Sequence, residues 1–327
     1  MKAVLCREWG GPDSLRFEEV SARKLKPDEA RIRVRACGVN FADTLMIAGK
    51  YQIKPEFPFT PGLEAAGEVV EIGAEVNHLA IGTRVLAVTR FGGAYAEEIA
   101  VNADAVVPIP HAMDFVTAAA FPVAYGTSHF ALTHRGHLKP GETLLVLGAA
   151  GGVGLTAVEI GKQLGARVIA AAGSPEKLAV AREHGADELI DYQRESIRDR
   201  VRDLTGGLGA DVVYDPVGGD AFDQALRAVN WEARMLVIGF AAGRIQSVPA
   251  NLILVKNISV IGVVWGAQAA RDPVLVSRNL AELLRRQFSN EVLRRHLRSL
   301  PIFRVEKWLP DRLRYLADRL SRKAAKK

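Results

Sequence analysis

The stretch Leu144-Leu145-Val146-Leu147-Gly148-Ala149-Ala150-Gly151-Gly152-Val153-Gly154 decides the fold. Its four leading apolar residues suit a strand buried on both faces, the glycines that follow suit a tight turn, and Val153 to Leu164 continues with helical patterning. Backbone N–H groups at a helix start point outward with the favourable end of the helix dipole, so a pyrophosphate fits there. Against the dinucleotide fingerprint G-x-G-x-x-G, Gly151 and Gly154 match the second and third glycines and Ala149 stands at the first. A ligand-free strand–helix connection can carry the same glycines, so the surrounding pattern has to separate the two.

That pattern is one of alternating strands and helices from about Val123 to Val264. Strands are expected at Thr143–Leu147, Arg167–Ala172, Glu188–Asp191, Asp211–Tyr214, Arg234–Gly239 and Ile258–Val264, the six of a full dinucleotide-binding sheet. Upstream, short apolar runs broken by Gly and Pro (Ala30–Cys37, Ala65–Ile72, Arg84–Val88, Tyr95–Val101) read as an all-β, barrel-like domain. Downstream, Trp265 to Lys327 reads as helical. Leu280, Leu283, Leu284 and Phe288 share one face, as do Leu309, Leu313, Leu316 and Leu320, with arginines opposite.

Bulk properties agree with a globular chain. At 327 residues, 49% hydrophobic and 24% charged, it can build two cores. The start meets charge within a few residues, unlike a signal peptide, and the most apolar stretch, Leu144 to Val158, is too short and glycine-rich to span a bilayer. Cys6 and Cys37 form no CxxC pair, which excludes a thiolate metal cage or disulfide framework and suits a reducing, cytoplasmic setting. The net charge of +6 is concentrated late, at Arg285-Arg286, Arg294-Arg295 and the tail from Arg322, as a solvated face would be. No basic groove with interleaved aromatics or nucleic-acid module stands out.

Cofactor choice is set beyond the second strand. NAD-binding domains place an acid about 20 residues past the glycines to hold the ribose hydroxyls. Here that place reads Ala171-Ala172-Gly173-Ser174-Pro175-Glu176-Lys177. No acid ends the strand, Ser174 can donate a hydrogen bond, and Lys177 can neutralise a 2′-phosphate, which favours NADPH. Ser174-Pro175 also reads as an N-cap with a first-turn proline, which is compatible with phosphate binding. Glu176 leaves open a rotated turn that would bind the ribose of NAD.

Taken with Cys37-Gly38-Val39-Asn40-Phe41-Ala42-Asp43, Gly49-Lys50-Tyr51, Pro58 to Gly67, Ala124-Tyr125-Gly126-Thr127-Ser128 and Asp215-Pro216-Val217-Gly218-Gly219, the glycine turn gives a chain that resembles the medium-chain dehydrogenase/reductase superfamily, and within it the zeta-crystallin-like quinone oxidoreductases. The resemblance runs from Met1 to about Val264. It implies an α/β fold in which a doubly wound Rossmann domain, residues 123–264, is inserted in a GroES-like β-barrel catalytic domain made of 1–122 and 265–327, with the active site in the cleft. Zinc alcohol dehydrogenases of the superfamily carry Cys where this chain has Asn40 and His where it has Leu63 before Glu64, and they have a four-cysteine lobe that is missing here. Without those ligands no tetrahedral zinc site assembles. His129, His134 and His137 match no usual metal spacing and read as structural or solvent-exposed.

Without a Lewis acid, conjugate reduction of an enone or quinone is the easier chemistry, because charge spreads into an enolate or phenolate. Tyr51 is the candidate hydrogen-bond donor, and Asn40 the candidate contact to the nicotinamide ribose or substrate oxygen. Asn40 can equally shape a turn, and Tyr51 can be a loop aromatic packing on Phe57. Asp43 reads as a helix cap. By the resemblance, the cofactor touches Thr127, Ala150, Gly151, Gly152, Val153, Gly154, Ser174, Lys177, Tyr192, Val217, Gly239, Phe240, Ala241 and Val264. The apolar last strand implies pairing with a second copy in a homodimer. A 2-enoyl thioester reductase and an NADPH-regulated RNA-binding protein are the alternative readings. Relatives finish on a short strand that returns to the catalytic domain, and the end Leu320 to Lys327 shows no counterpart.

Overall fold

The computed structural model describes residues 1–89, 91–287 and 302–304. Two compact units result: one is Ala124–Ala267, the other Met1–Val123 with the described residues from Gln268 on.

At the start of the chain, β1 (Lys2–Leu5) and β2 (Arg16–Glu19) form an antiparallel ribbon. They are followed by β3 (Glu29–Gly38), helix α1 (Phe41–Ile47), β4 (Glu64–Ile72), β5 (Arg84–Val88), β6 (Glu98–Asn102), β7 (Val106–Pro108) and α2 (Phe115–Ala119). β3 is the hub: it pairs with β4 on one side and β6 on the other, while β4 continues to β5 and β7. Its alternating inward residues Ala30, Ile32, Val34 and Ala36 are all buried, as period-two patterning requires. The strand expected from Tyr95 begins instead at Glu98. Tyr95 belongs to the preceding loop, where its N–H donates to the Pro61 carbonyl and its carbonyl accepts from Val4.

α3 (Phe121–His129) leads into a π-helical turn over Phe130–Arg135 and then into the parallel unit. That unit runs β8 (Thr143–Leu147), α4 (Gly152–Gln163), β9 (Arg167–Ala172), α5 (Pro175–Glu183), β10 (Glu188–Asp191), α6 (Ile197–Leu204), β11 (Ala210–Asp215), α7 (Gly219–Leu226), β12 (Val229–Val237), α8 (Ala250–Lys256) and β13 (Ser259–Gly262). The sheet order β10-β9-β8-β11-β12-β13, parallel throughout, is the doubly wound Rossmann order with its switch point between β8 and β11. β8 has no exposed face: Leu144, Leu145, Val146 and Leu147 are all fully buried. β12 stops at Val237 rather than Gly239, because the chain folds back there and the Ala241 N–H donates to the Pro216 carbonyl. β13 is likewise shorter than the apolar run that suggested it.

Helices α9 (Trp265–Arg271) and α10 (Pro273–Gln287) follow, with Leu280, Leu283 and Leu284 buried on one face of α10. The expectation that everything after Trp265 is helical is overturned at β14 (Ile302–Arg304), which pairs antiparallel with Ala36–Gly38 of β3. A short strand therefore does return to the first sheet. It was missed because its three residues sit among helical patterning and lack the glycine that marks such strands. Phe288, the leucine face from Leu309 to Leu320 and the basic tail lie outside the described residues. Among the described residues no helix is long and apolar enough to cross a membrane.

Candidate functional site

The turn between β8 and α4 is built by glycines with separate tasks. Gly148, at φ +59°, makes the left-handed step out of the strand, and its carbonyl accepts from the Gly151 N–H. The role of the first fingerprint glycine thus falls to Gly148, correcting the assignment of that place to Ala149, which is fully buried and donates its N–H to the Ala171 carbonyl. Gly154 allows close approach: a Cβ there would collide with the Gly148 carbonyl and the Ala149 Cα. Gly152, by contrast, faces open space. Gly151 is the N-cap of α4, leaving the amides of Gly152, Val153 and Gly154 without helical acceptors. Ala150 is half-buried beside them. This cradle suits a pyrophosphate.

Neighbouring strand ends collect the other sequence candidates of this unit. Val217 leans on the turn, its Cγ2 lying 2.8 Å from where a Cβ of residue 148 would be. Phe240 packs beside Gly218, and Gly239 beside Pro216. The Asp215 carboxylate was not anticipated as part of this region. It is fully buried at the end of β11 and accepts from the Val217 and Gly218 N–H groups at 2.8 Å, while burial pushes its pKa up to about 6. At the end of β9, Ser174 caps α5 by accepting from the Lys177 N–H, Lys177 is exposed, and the Tyr192 ring lies over Gly173. Thr127 is half-buried on α3, next to Ser128, whose hydroxyl bonds to the Val153 carbonyl at 2.9 Å. Ala241 and Val264 are exposed.

The other unit holds Asn40, Tyr51 and two buried carboxyls. Asn40 is the N-cap of α1, in a reciprocal capping box with Asp43, so the turn-shaping role of Asn40 and the capping role of Asp43 are both present. The Asn40 amide also donates to Glu64 Oε1 at 2.8 Å, and Glu64 Oε2 accepts from the Val123 N–H at 2.7 Å. Glu64 presses against Gly38 so closely that any Cβ there would overlap its carboxyl group. Tyr95 donates to Asp43 Oδ2 at 3.0 Å. Burial raises Asp43 to about 6 and Glu64 to about 8, against the hydrogen bonds that favour their ionised forms. Burial, reinforced by those two carboxylates, also lifts Cys37 to about 12, so it remains a thiol.

Tyr51 packs on the cluster of Cys6, Met46, Ile47 and Phe59, whereas Phe57 stacks with Phe59 and meets Trp9 at a tilt. Its phenol is raised by burial and by Asp43, which keeps it protonated at neutral pH. His129 and His134 meet edge to face, their ring centroids 6.2 Å apart. Among the described residues no three His, Cys, Asp or Glu side chains converge as a metal site would.

Two family matches cover the chain: residues 26–111 match the alcohol dehydrogenase GroES-like domain, and residues 152–279 a family described as zinc-binding dehydrogenase. Over 284 residues the chain is 44% identical to a quinone oxidoreductase-like protein 2 homolog of Nematostella vectensis, spanning 86% of this chain and 77% of that one. The chain belongs to the quinone oxidoreductase-like members of the medium-chain dehydrogenase/reductase superfamily. A second member, the quinone oxidoreductase-like protein 2 of Rattus norvegicus, is 41% identical over 307 residues, covering 94% of this chain and 86% of its own. Among solved structures, Escherichia coli quinone oxidoreductase complexed with NADPH superposes with a TM-score of 0.79 at 30% identity, covering 86% of this chain and 87% of that one. The GroES-like and Rossmann parts of this oxidoreductase are therefore those of its superfamily.

Proposed function

We propose that this quinone oxidoreductase-like protein is an NADPH-dependent reductase of quinones or α,β-unsaturated carbonyl compounds that works without zinc. The observation that carries the reading is the pairing of an open-amide glycine cradle with Ser174, Lys177 and Tyr192 at the next strand end. Support for NADPH also comes from the cofactor of the E. coli relative.

NADPH held on the cradle would supply the hydride. The amides of Gly152, Val153 and Gly154 would hold its pyrophosphate, and Val217, Gly239 and Phe240 would border its nicotinamide half by the carboxyl-end rule. Tyr51 donates a hydrogen bond, then its proton, to the substrate oxygen as the conjugated electron pair moves onto it, and solvent reprotonates the phenol. Asn40, held by Glu64, offers its remaining amide hydrogen to the ribose or the substrate. Zinc independence is supported by Asn40 and Leu63 at two ligand places and by Glu64 being committed to Asn40 and Val123.

Steady-state NADPH oxidation with quinones, simple enones and enoyl-CoA thioesters, before and after exhaustive chelation, tests the proposal. Turnover of quinones or enones that survives chelation is expected; turnover confined to enoyl-CoA, or lost with the metal, overturns it. A salt-sensitive RNA affinity that competes with NADPH would favour the binding-protein alternative instead.

A further inference from the structure

The carboxyl ends of β9 and β10 emerge side by side, with Asp191 in register with Ala172 and the Tyr192 N–H donating to the Ala172 carbonyl at 3.2 Å. A Cβ on Gly173 would sit 3.0 Å from Cε2 of Tyr192, so this ring floors the space beyond β9. The chain then turns, the Arg194 N–H donating to the Asp191 carbonyl at 2.9 Å. Arg194 is tethered only loosely: its Nε is 3.6 Å from Asp191 Oδ2, and its side chain is 75% exposed. Its two terminal nitrogens make no hydrogen bond among the described residues. Asp191 is otherwise engaged, accepting from the Gln193 N–H through Oδ1.

Facing this is the first turn of α5. Glu176 is held below the usual carboxylate range by the Ser174 hydroxyl first and by the charge of Arg194 among the lesser causes, so Arg194 lies within electrostatic reach of the α5 start. The charge balance there shows why one cation is too few. A phosphate monoester brings a charge of about −2, Glu176 adds another negative charge, and Lys177 cancels only one.

We infer that Arg194 is a second cationic determinant for the phosphate on the adenosine ribose of the cofactor, acting with Lys177 and offsetting Glu176. The inference rests on the NADPH reading above. It assigns the free fork of the guanidinium to phosphate oxygens, which it fits better than an ammonium does. It also answers the question Glu176 poses: a carboxylate tied to Ser174 and shadowed by Arg194 is poorly placed to serve NAD instead.

Calorimetric titration of the full chain with adenosine 2′,5′-bisphosphate and with 5′-AMP tests this directly, because the two differ only in the phosphate at issue. Arg194→Ala is expected to weaken the bisphosphate about tenfold, the loss of one charge-assisted contact, and to change 5′-AMP less than twofold. Arg194→Lys should recover only part of the difference, since an ammonium keeps the charge but not the fork, and Glu176→Gln should strengthen the bisphosphate alone. Equal losses for both nucleotides in Arg194→Ala, or no loss for the bisphosphate, overturn the role of Arg194 while leaving the NADPH reading standing. If the unaltered protein does not discriminate between the two nucleotides, the NADPH reading fails and this inference with it.

Discussion

Glu64 and Asp43 are carboxyls buried side by side in one unit, each holding a proton more tightly folded than unfolded. Asp43 rises from 3.8 to about 6 and Glu64 from 4.5 to about 8. Between those limits the folded state binds more protons than the unfolded one, so both groups lower stability as pH rises, and the effect is complete above about pH 8. Glu64→Gln keeps an acceptor for the Val123 N–H but cannot ionise. Its unfolding free energy from urea titration should exceed that of the unaltered protein at pH 9, by on the order of a few kcal/mol, and the gap should close toward pH 5. Free energies that stay parallel across this range would mean that Glu64 is not the titrating group. Tyr51 makes the complementary case for chemistry. Tyr51→Phe keeps the ring on Met46 and Phe59 but removes the proton donor, so kcat for an enone should fall roughly a hundredfold or more while NADPH affinity is unchanged. An unaltered kcat would remove Tyr51 from the reaction.

At the scale of elements, the β8–α4 turn separates packing from binding. Gly154→Ala drives a methyl group into the Gly148 carbonyl and should lower both thermal stability and NADPH affinity, whereas Gly152→Ala meets nothing in the protein. A methyl group at 152 therefore costs little stability but crowds the approach of a pyrophosphate to the amides, and titration should show weaker NADPH binding at an unchanged melting temperature. If Gly152→Ala binds NADPH normally, the phosphate does not sit at this helix start. The same elements show what a linear chain reveals. β8, β9 and β10 fall on their expected residues because unbroken apolar runs ending in Gly or turn residues carry the signal locally. The glycine turn into α4 was readable for that reason, as was Ser174 as the cap of α5. Glu64 was not, since its partners Asn40 and Val123 are 24 and 59 residues away. Arg194 gave no signal either, because a charged residue in a turn looks like any solvated one until β10 is set beside β9. β14 escaped because three residues are too few to show a period.

Across the whole molecule, the parallel sheet ends on β13, which pairs with β12 on one side only. An uncovered edge strand of Ser259-Val260-Ile261-Gly262 is a template for a second copy. The Val263 N–H donates to the Val237 carbonyl, which by the alternation of a strand turns the Val260 N–H toward the open edge. Part of that edge is already engaged, since Arg135 donates to the Gly262 carbonyl at 3.3 Å. A homodimer formed through β13 by the same operation on both copies would pair Val260 across a two-fold axis. Val260→Pro removes an N–H that β12 does not use, so the fold should survive, with a far-ultraviolet circular dichroism spectrum like that of the unaltered chain. Its mass by light scattering should move from dimer toward monomer at micromolar concentration. A dimer that persists in Val260→Pro would place the interface elsewhere, and a monomer in the unaltered protein would mean that the β13 edge stays open in solution, guarded only by its shortness and by Arg135.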